Sequence, residues 1–555
     1  MQRRIAAAAL VAASLALTAC QSNRAHTATP DPTPARLFDG AGDTHRAITT
    51  SSPEAQRYFD QGLMWTYAFN HDEAIRSFTE AARLDPNCAM AWWGVAFCHG
   101  PHINNPAMTD TAKREAWAAI RKAQSLKSNA TPAERALIEA VSVRYAENPP
   151  DDRTDLNKAY AEAMRRAHAS HPGDVDITVL YADALLNLQP WDLWTKSGDP
   201  KGNTMTILAL LESALRADQD HVGANHLYIH AVEASPNPEK GIASADRLRN
   251  AAPISGHLTH MPSHIDVQVG AWPAAAETNR RAIKSDQRYE ALVPNQGFYR
   301  VYMAHNHHFL SFTCMMQGRR VESLAAARDM VRGVPEVYIK EQGAFIDPYM
   351  NIELAVMMRF GMWDELIASP QPPKELPITR AMWRFTRTCA YAAKGDLRNA
   401  ERERRAFLDA RNQVPADAMM AINKAHHVLD IAENVLDAEI AYRRDDIASA
   451  VHHLRAAIKL EDDLLYMEPP EWIQPVRHTL GAILVEAGRY SEAEALYRED
   501  LEIWPENGWS LFGLSQCLAA GANHSEHQQV EARFRRAWAS ADTPIKSTCL
   551  CVTGD

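Results

Sequence analysis

The chain is poor in cysteine, with eight among 555 residues. After Cys20 there remain Cys88, Cys98, Cys314, Cys389, Cys517, Cys549 and Cys551, an odd number and widely spread, so no disulfide framework follows. Cys549-Leu-Cys551 sits in a polar C-terminal stretch and could bind metal or pair, with a chance tail the favoured reading. Long apolar runs are scarce as well. Ile5 to Leu17 is apolar but too short to span a bilayer. There is no basic run, and the net charge is −11, which argues against a nucleic-acid partner. Alternating apolar and polar runs are few, and Gly and Pro fall mostly between segments of helical period, so the fold class is all-α. A Gly-rich phosphate loop, a nucleophile elbow and an HExxH helix are all missing, which removes the common motif routes to nucleotide, serine-hydrolase and zincin chemistry.

Histidine is what the chain has in one place. Nine of its 23 histidines fall between His221 and His308. Three clusters stand out. His226, His230 and Glu233 are spaced i, i+4, i+7; His257, His260 and His264 are spaced i, i+3, i+7; His305 and His308 are spaced i, i+3. On helices each set shares a face.

The first residues read as a leader. Gln2-Arg-Arg4 is basic, Ile5 to Leu17 is apolar, and Leu17-Thr-Ala-Cys20 resembles the bacterial lipoprotein box. The resemblance implies lipidation at Cys20, acyl anchoring in the cell envelope, and, with Gln21 next, the outer membrane facing the periplasm. Residues 21–50, rich in Thr, Pro, Asp and Ala, read as a disordered tether.

A repeat follows. Gly62, Trp65, Ala74, Phe78, Ala81 and Pro86 recur in spacing as Leu480-Gly481, Ala493, Tyr497 and Pro505. These offsets resemble the 34-residue tetratricopeptide (TPR) repeat, which implies a right-handed α-solenoid of helix pairs. Small residues let paired helices approach, a large residue fills the gap to the next pair, and Pro stops the second helix. In the middle, Pro253 and Pro335 set units starting at Val222, Gly256 and Ala304. Irregular inserts are expected at Gln189 to Asn203, Gln287 to Tyr302 and Gln413 to about Ala432. The expected organisation is a signal peptide over 1–20, tether over 21–50, N-terminal repeats over 51–220, histidine-rich repeats over 221–335, C-terminal repeats over 336–540 and a tail over 541–555.

Counted from Val222, Gly256 and Ala304, the histidines and Glu233 land on offsets that face the concave groove in peptide-binding TPR proteins. Pro262 interrupts the second of these helices and puts His257 in doubt as a same-face partner of His264. Unbound clustered imidazoles repel when protonated and cost stability when buried unpaired. A divalent transition metal (Zn, Cu, Fe or Mn), as one or two ions, accounts for the clustering. The expected ligands are His226, His230, Glu233, His257, His260, His264, His305 and His308, some of them orienting others. Cys98-His-Gly-Pro-His102 reads as structural, and His307 faces away.

The runs His226-Leu-Tyr-Ile-His-Ala-Val-Glu233, His257-Leu-Thr-His-Met-Pro-Ser-His264 and His305-Asn-His-His308, with Phe69-Asn-His-Asp-Glu-Ala74, resemble a group of bacterial TPR proteins carrying such motifs. The resemblance spans about residues 55 to 365 and points to the site rather than to a reaction. The expectation is an anchored TPR protein with a histidine-rich metal centre in its groove, open to metal-dependent hydrolysis or redox chemistry. The alternative is a scaffold whose groove holds a peptide or an envelope-assembly partner without metal.

Overall fold

The computed structural model describes residues 35 to 552. Cys20, the leader and residues 21–34 of the expected tether lie outside the described residues; residues 35–50 are described and packed, with Phe38 buried and Arg46 bonded to Asp174 and Asp176. The described chain is built from helices in successive pairs, and the all-α, TPR-like architecture read from the sequence is what forms. Among the described residues the ordered strands amount to one two-residue ladder, Met419–Met420 against Asn423–Lys424.

The chain divides into two compact units. One comprises residues up to Ile265 together with Arg280–Met303; the other comprises Asp266–Asn279 together with Ala304 onward. The repeat chemistry is visible in each. In the first unit, helix Pro53–Tyr67 starts on Ser52, whose side chain accepts from the Ala55 amide, and helix His71–Leu84 starts on Asn70 in the same way. Phe78 of the second helix is wedged between Gly62 and Gly94. A Cβ added at either glycine would lie within 2.7 Å of the Phe78 ring, so only a glycine lets these helices close on it. In the second unit Tyr497 does the same between Gly481 and Gly513, where an added Cβ would come within 2.4 Å of its ring.

The middle departs from the even ruler. The expected break at Pro262 is present: Gly256–His260 stops at Met261 and a new helix, Pro262–Gln268, begins on the proline. Gln189 to Asn203 is irregular, as expected. The other two inserts are shorter than expected. Helix Trp272–Leu292 runs through the start of one, and helix Ala425–Tyr442 takes the end of the other. Their polar residues suit an exposed helix face as well as a loop, so composition misled there. The helix expected from Ala304 begins four residues earlier, at Arg300.

The C-terminal stretch is not a loose tail. Thr548, Cys549, Cys551 and Val552 are buried in the second unit. Cys549 and Cys551 form a disulfide, one of the alternatives to a chance tail.

Candidate metal centre

Six of the eight expected ligands lie in the first unit. His226 and His230 sit on helix Val222–Val232, and Glu233 caps its end. His257 and His260 sit on Gly256–His260, and His264 follows the break at Pro262. The break turns both short segments inward. His226, His230, Glu233, His257, His260 and His264 are each at most 4% exposed. This corrects the groove picture: these side chains are core, not the lining of an open channel. His305 and His308 are half-buried on helix Arg300–Met316 in the part belonging to the second unit, where the His308 ring meets Tyr349 at 6.1 Å. His307 is half-buried beside them on the same helix.

Hydrogen bonds fix the tautomers. His226 Nδ1 donates to the Tyr67 carbonyl at 2.6 Å, so its lone pair is on Nε2. His230 Nδ1 donates to one oxygen of Glu233 at 3.0 Å, and His264 Nδ1 meets the other at 2.5 Å. The two imidazoles thus share one buried carboxylate; Nε2 is the lone-pair atom of His230, and the carboxylate beside His264 Nδ1 favours the same tautomer there. His230 Nε2 is buried without a hydrogen-bond partner. Burial alone raises the Glu233 pKa, but His264 and His230 outweigh it and hold the group at about 2. Burial, followed by the charge of neighbouring His230, drives His226 well below the usual imidazole range, so it is neutral at neutral pH.

His260 is fixed by Ser263. The Ser263 hydroxyl donates to the His260 carbonyl at 2.7 Å, so its oxygen receives Nδ1–H of His260 at 3.3 Å. His260 and His264 therefore both carry Nε2 lone pairs, and these atoms face each other at 2.8 Å. His226 Nε2 and His257 Nε2 face each other at 3.2 Å. One nitrogen from each of His226, His230 and His257 lies within 4.8 Å of the others.

The surroundings are aromatic and rigid. Phe69 stacks on His102 at 4.5 Å and on His257 at 5.7 Å, and its ring lies 4.5 Å from His226. Trp191 meets His230 edge-on at 5.3 Å, and Tyr302 packs on His257 at 4.3 Å. Phe69 and Trp191 both have left-handed backbones, with φ of 55° and 58°. A bulky residue is rarely held there, and strain of this kind gathers at functional sites. Tyr67 is buttressed in turn: its hydroxyl donates to Asp176 at 2.5 Å, which also receives His221 at 3.1 Å. His221 caps its helix through Nδ1, which accepts from the Ala224 amide, so it is a structural histidine.

Two histidines near the cluster were missed by spacing. His71 donates from Nδ1 to the Cys98 carbonyl at 2.9 Å and leaves Nε2 buried without a partner. His102, read as structural, lies 4.5 Å from His71 and has Nδ1 without a partner. They line a cavity of about 10 Å³ with Thr66, Phe69 and Asp183, room for one water. Burial, then the charges of His71, Arg144, His226 and His230, keeps His102 far below the normal imidazole pKa. The sequence signal was the Phe69-Asn-His71 run within the family resemblance. No helical spacing links it to the other clusters.

What the fold and site define is an all-α protein of TPR-like helix pairs with an enclosed histidine cluster in its first unit. The chain matches no known sequence-family model and no curated relative. Among solved structures it is similar to a human IFIT1 dimer with m7Gppp-AAAA, at 13% identity and TM-score 0.33 over 88% of this chain and 91% of that one. It is also similar to the APC/C hetero-tetramer Cut9-Hcn1, at 12% identity and TM-score 0.31 over 90% of this chain and 79% of that one. At such scores the likeness carries no argument; the helix pairing within each unit carries the fold assignment.

Proposed function

We propose that the first unit holds a transition-metal centre whose donors are the imidazoles of His226, His230, His257, His260 and His264. Glu233 orients His230 and His264 rather than spending its own oxygens on the ion. The observation that carries this is the His260–His264 pair. Ser263 holds the His260 Nδ1 hydrogen and the Glu233 carboxylate lies 2.5 Å from His264 Nδ1, which leaves the two Nε2 lone pairs pointing at one another across 2.8 Å. Only a shared proton or a bound cation relieves that repulsion. The cation is favoured because three further imidazoles gather one nitrogen each within 4.8 Å, and one of those rings, His230, has a buried Nε2 with no partner. Two nitrogens on a tetrahedral ion with bonds of about 2.0–2.1 Å are about 3.3 Å apart, close to the 3.2 Å between His226 and His257.

Neutral imidazole suits Zn, Cu and Fe, and one ion or two fit the donors. When bound, such an ion would polarise or activate a ligand at an open position. The residues present set the limits of that chemistry. Burial and the aromatic wall of Phe69, Trp191 and Tyr302 exclude bulk water, and the adjoining cavity takes one water. The site is therefore suited to retaining an ion and handling water-sized ligands rather than to gripping a peptide. We further propose that Cys20 is lipidated and tethers the protein to the cell envelope.

Cobalt(II) titration of metal-free protein tests the site. The wild type should give the visible absorption of a tetrahedral nitrogen site, and His230→Ala and His260→Ala should lose or displace it. A wild type that gives only octahedral aquo-cobalt absorption contradicts the proposal.

A further inference from the structure

The second unit carries a different group of donors, unrelated to the histidines. Cys549 and Cys551 are 3% and 2% exposed, and Glu439 of helix Ala425–Tyr442 is 1% exposed. One ligand atom from each lies within 4.8 Å of the other two. Glu439 Oε2 is buried without a hydrogen-bond partner. A buried carboxylate oxygen left bare is costly, and structures retain one where something else takes it up.

We propose that Cys549, Cys551 and Glu439 form a redox-gated site for a thiophilic divalent cation of the Zn²⁺ type, closed as the disulfide and competent as the dithiol. Donor chemistry supports it: thiolate and carboxylate are each zinc ligands, and three protein donors leave a fourth position for water or a further ligand. Charge supports it too. Three negative donors are matched by a divalent ion and the Arg443 guanidinium, which donates to the Cys551 carbonyl. The segment is held in place on both sides of the pair. The Thr548 hydroxyl donates to the His478 carbonyl at 2.7 Å, the Thr548 carbonyl accepts from Arg359 at 3.2 Å, and the Cys551 carbonyl accepts from Arg443. Opening the disulfide therefore leaves both sulfurs beside Glu439. The disulfide closes a loop of only three residues, which constrains the unfolded chain very little, so its main consequence is chemical.

The step balances with a phosphine as reductant. The phosphine takes an oxygen from water and is oxidised to its oxide. The two hydrogens of that water go to the two sulfurs as the S–S bond breaks. On binding, the cation displaces both thiol protons and any proton held on Glu439, whose burial favours the neutral form, so that all three donors bind as anions.

The test uses the full chain, metal-free, reduced by phosphine without oxygen and titrated with cobalt(II). Thiolate-to-cobalt charge transfer in the near ultraviolet reports sulfur ligation and is silent to a purely histidine site. The reduced chain should develop that band with one equivalent, and the oxidised chain and the Cys549→Ser/Cys551→Ser variant should not. Glu439→Gln should keep the band and weaken the affinity by about tenfold or more. Because the serine variant disturbs a buried segment, wild type is read a second way: Zn²⁺ should protect Cys549 and Cys551 from iodoacetamide, mapped by peptide mass. A reduced wild type with no band, equal alkylation with and without Zn²⁺, or unchanged affinity in Glu439→Gln would overturn the site.

Discussion

Replacing Glu233 by Gln separates an orienting carboxylate from a metal ligand. In the wild type one carboxylate oxygen accepts Nδ1–H of His230 at 3.0 Å, and the other lies 2.5 Å from His264 Nδ1 in an ion-pair contact. A glutamine keeps the shape but has one acceptor oxygen and one donor NH₂. It can satisfy only one of the two Nδ1–H groups. The imidazole facing the NH₂ must move its hydrogen to Nε2, and that nitrogen then has no lone pair for an ion. Changes to such outer carboxylates typically cost about 10–100-fold in metal affinity, or about 1.4–2.7 kcal/mol. The expected result is a folded Glu233→Gln protein whose zinc affinity, measured by chelator competition at neutral pH, falls within that range. Unchanged affinity would show that the carboxylate does not orient the ring. Complete loss of binding with the helical circular dichroism intact would make Glu233 a ligand itself, as the bare spacing suggested.

Phe69 gives a reversal of the usual order: at φ 55° glycine is unstrained and alanine is not, so Phe69→Gly should be more stable than Phe69→Ala by about 1 kcal/mol in urea unfolding. Both should fall about 3–5 kcal/mol below wild type from the lost ring, and an alanine variant more stable than the glycine one would refute the strain. Burial raises Asp183 from 3.8 to about 6, opposed by Arg144 and a hydrogen bond from Asn187. The folded state therefore binds the proton more tightly, and stability is lost as pH rises from about 4 to 6; Asp183→Asn should gain about 2–3 kcal/mol at neutral pH and little at pH below about 4, and an equal gain at both would contradict this. Cys20→Ser should move the protein from the membrane fraction to the soluble one and abolish uptake of labelled palmitate; a variant that still sediments with membranes would end the anchoring proposal.

Sequence spacing revealed the fold where small and large residues must meet. Gly62 with Phe78 and Gly481 with Tyr497 were legible because a close approach permits little else at those positions. The break at Pro262 was legible for the same reason, since proline has no amide to give. The site was legible as a cluster of histidines but not as a buried one. Repeat offsets place a side chain on a helix face, yet they do not say what covers that face. Here Phe69, Trp191 and Tyr302 cover it, two of them from loops with left-handed backbones that no periodicity encodes. His71 and His102 were missed because they come from a loop junction and a turn rather than from a helix stripe. The burial of Cys549 and Cys551 was hidden by the polar composition around them, since Thr548 and its neighbours satisfy their polar groups inside the second unit.

The histidine cluster of the first unit is proposed to hold a metal ion. Elemental analysis of protein purified without an affinity histidine tag, repeated after exposure to Zn²⁺, Cu²⁺, Fe²⁺ or Mn²⁺ and desalting, tests it most directly. At least one transition-metal ion per chain should be retained, lost in His230→Ala and His264→Ala but kept in Cys549→Ser. Wild type that is metal-free as purified and retains none of the four ions after exposure would contradict it, and a shared proton would then be the occupant between His260 and His264.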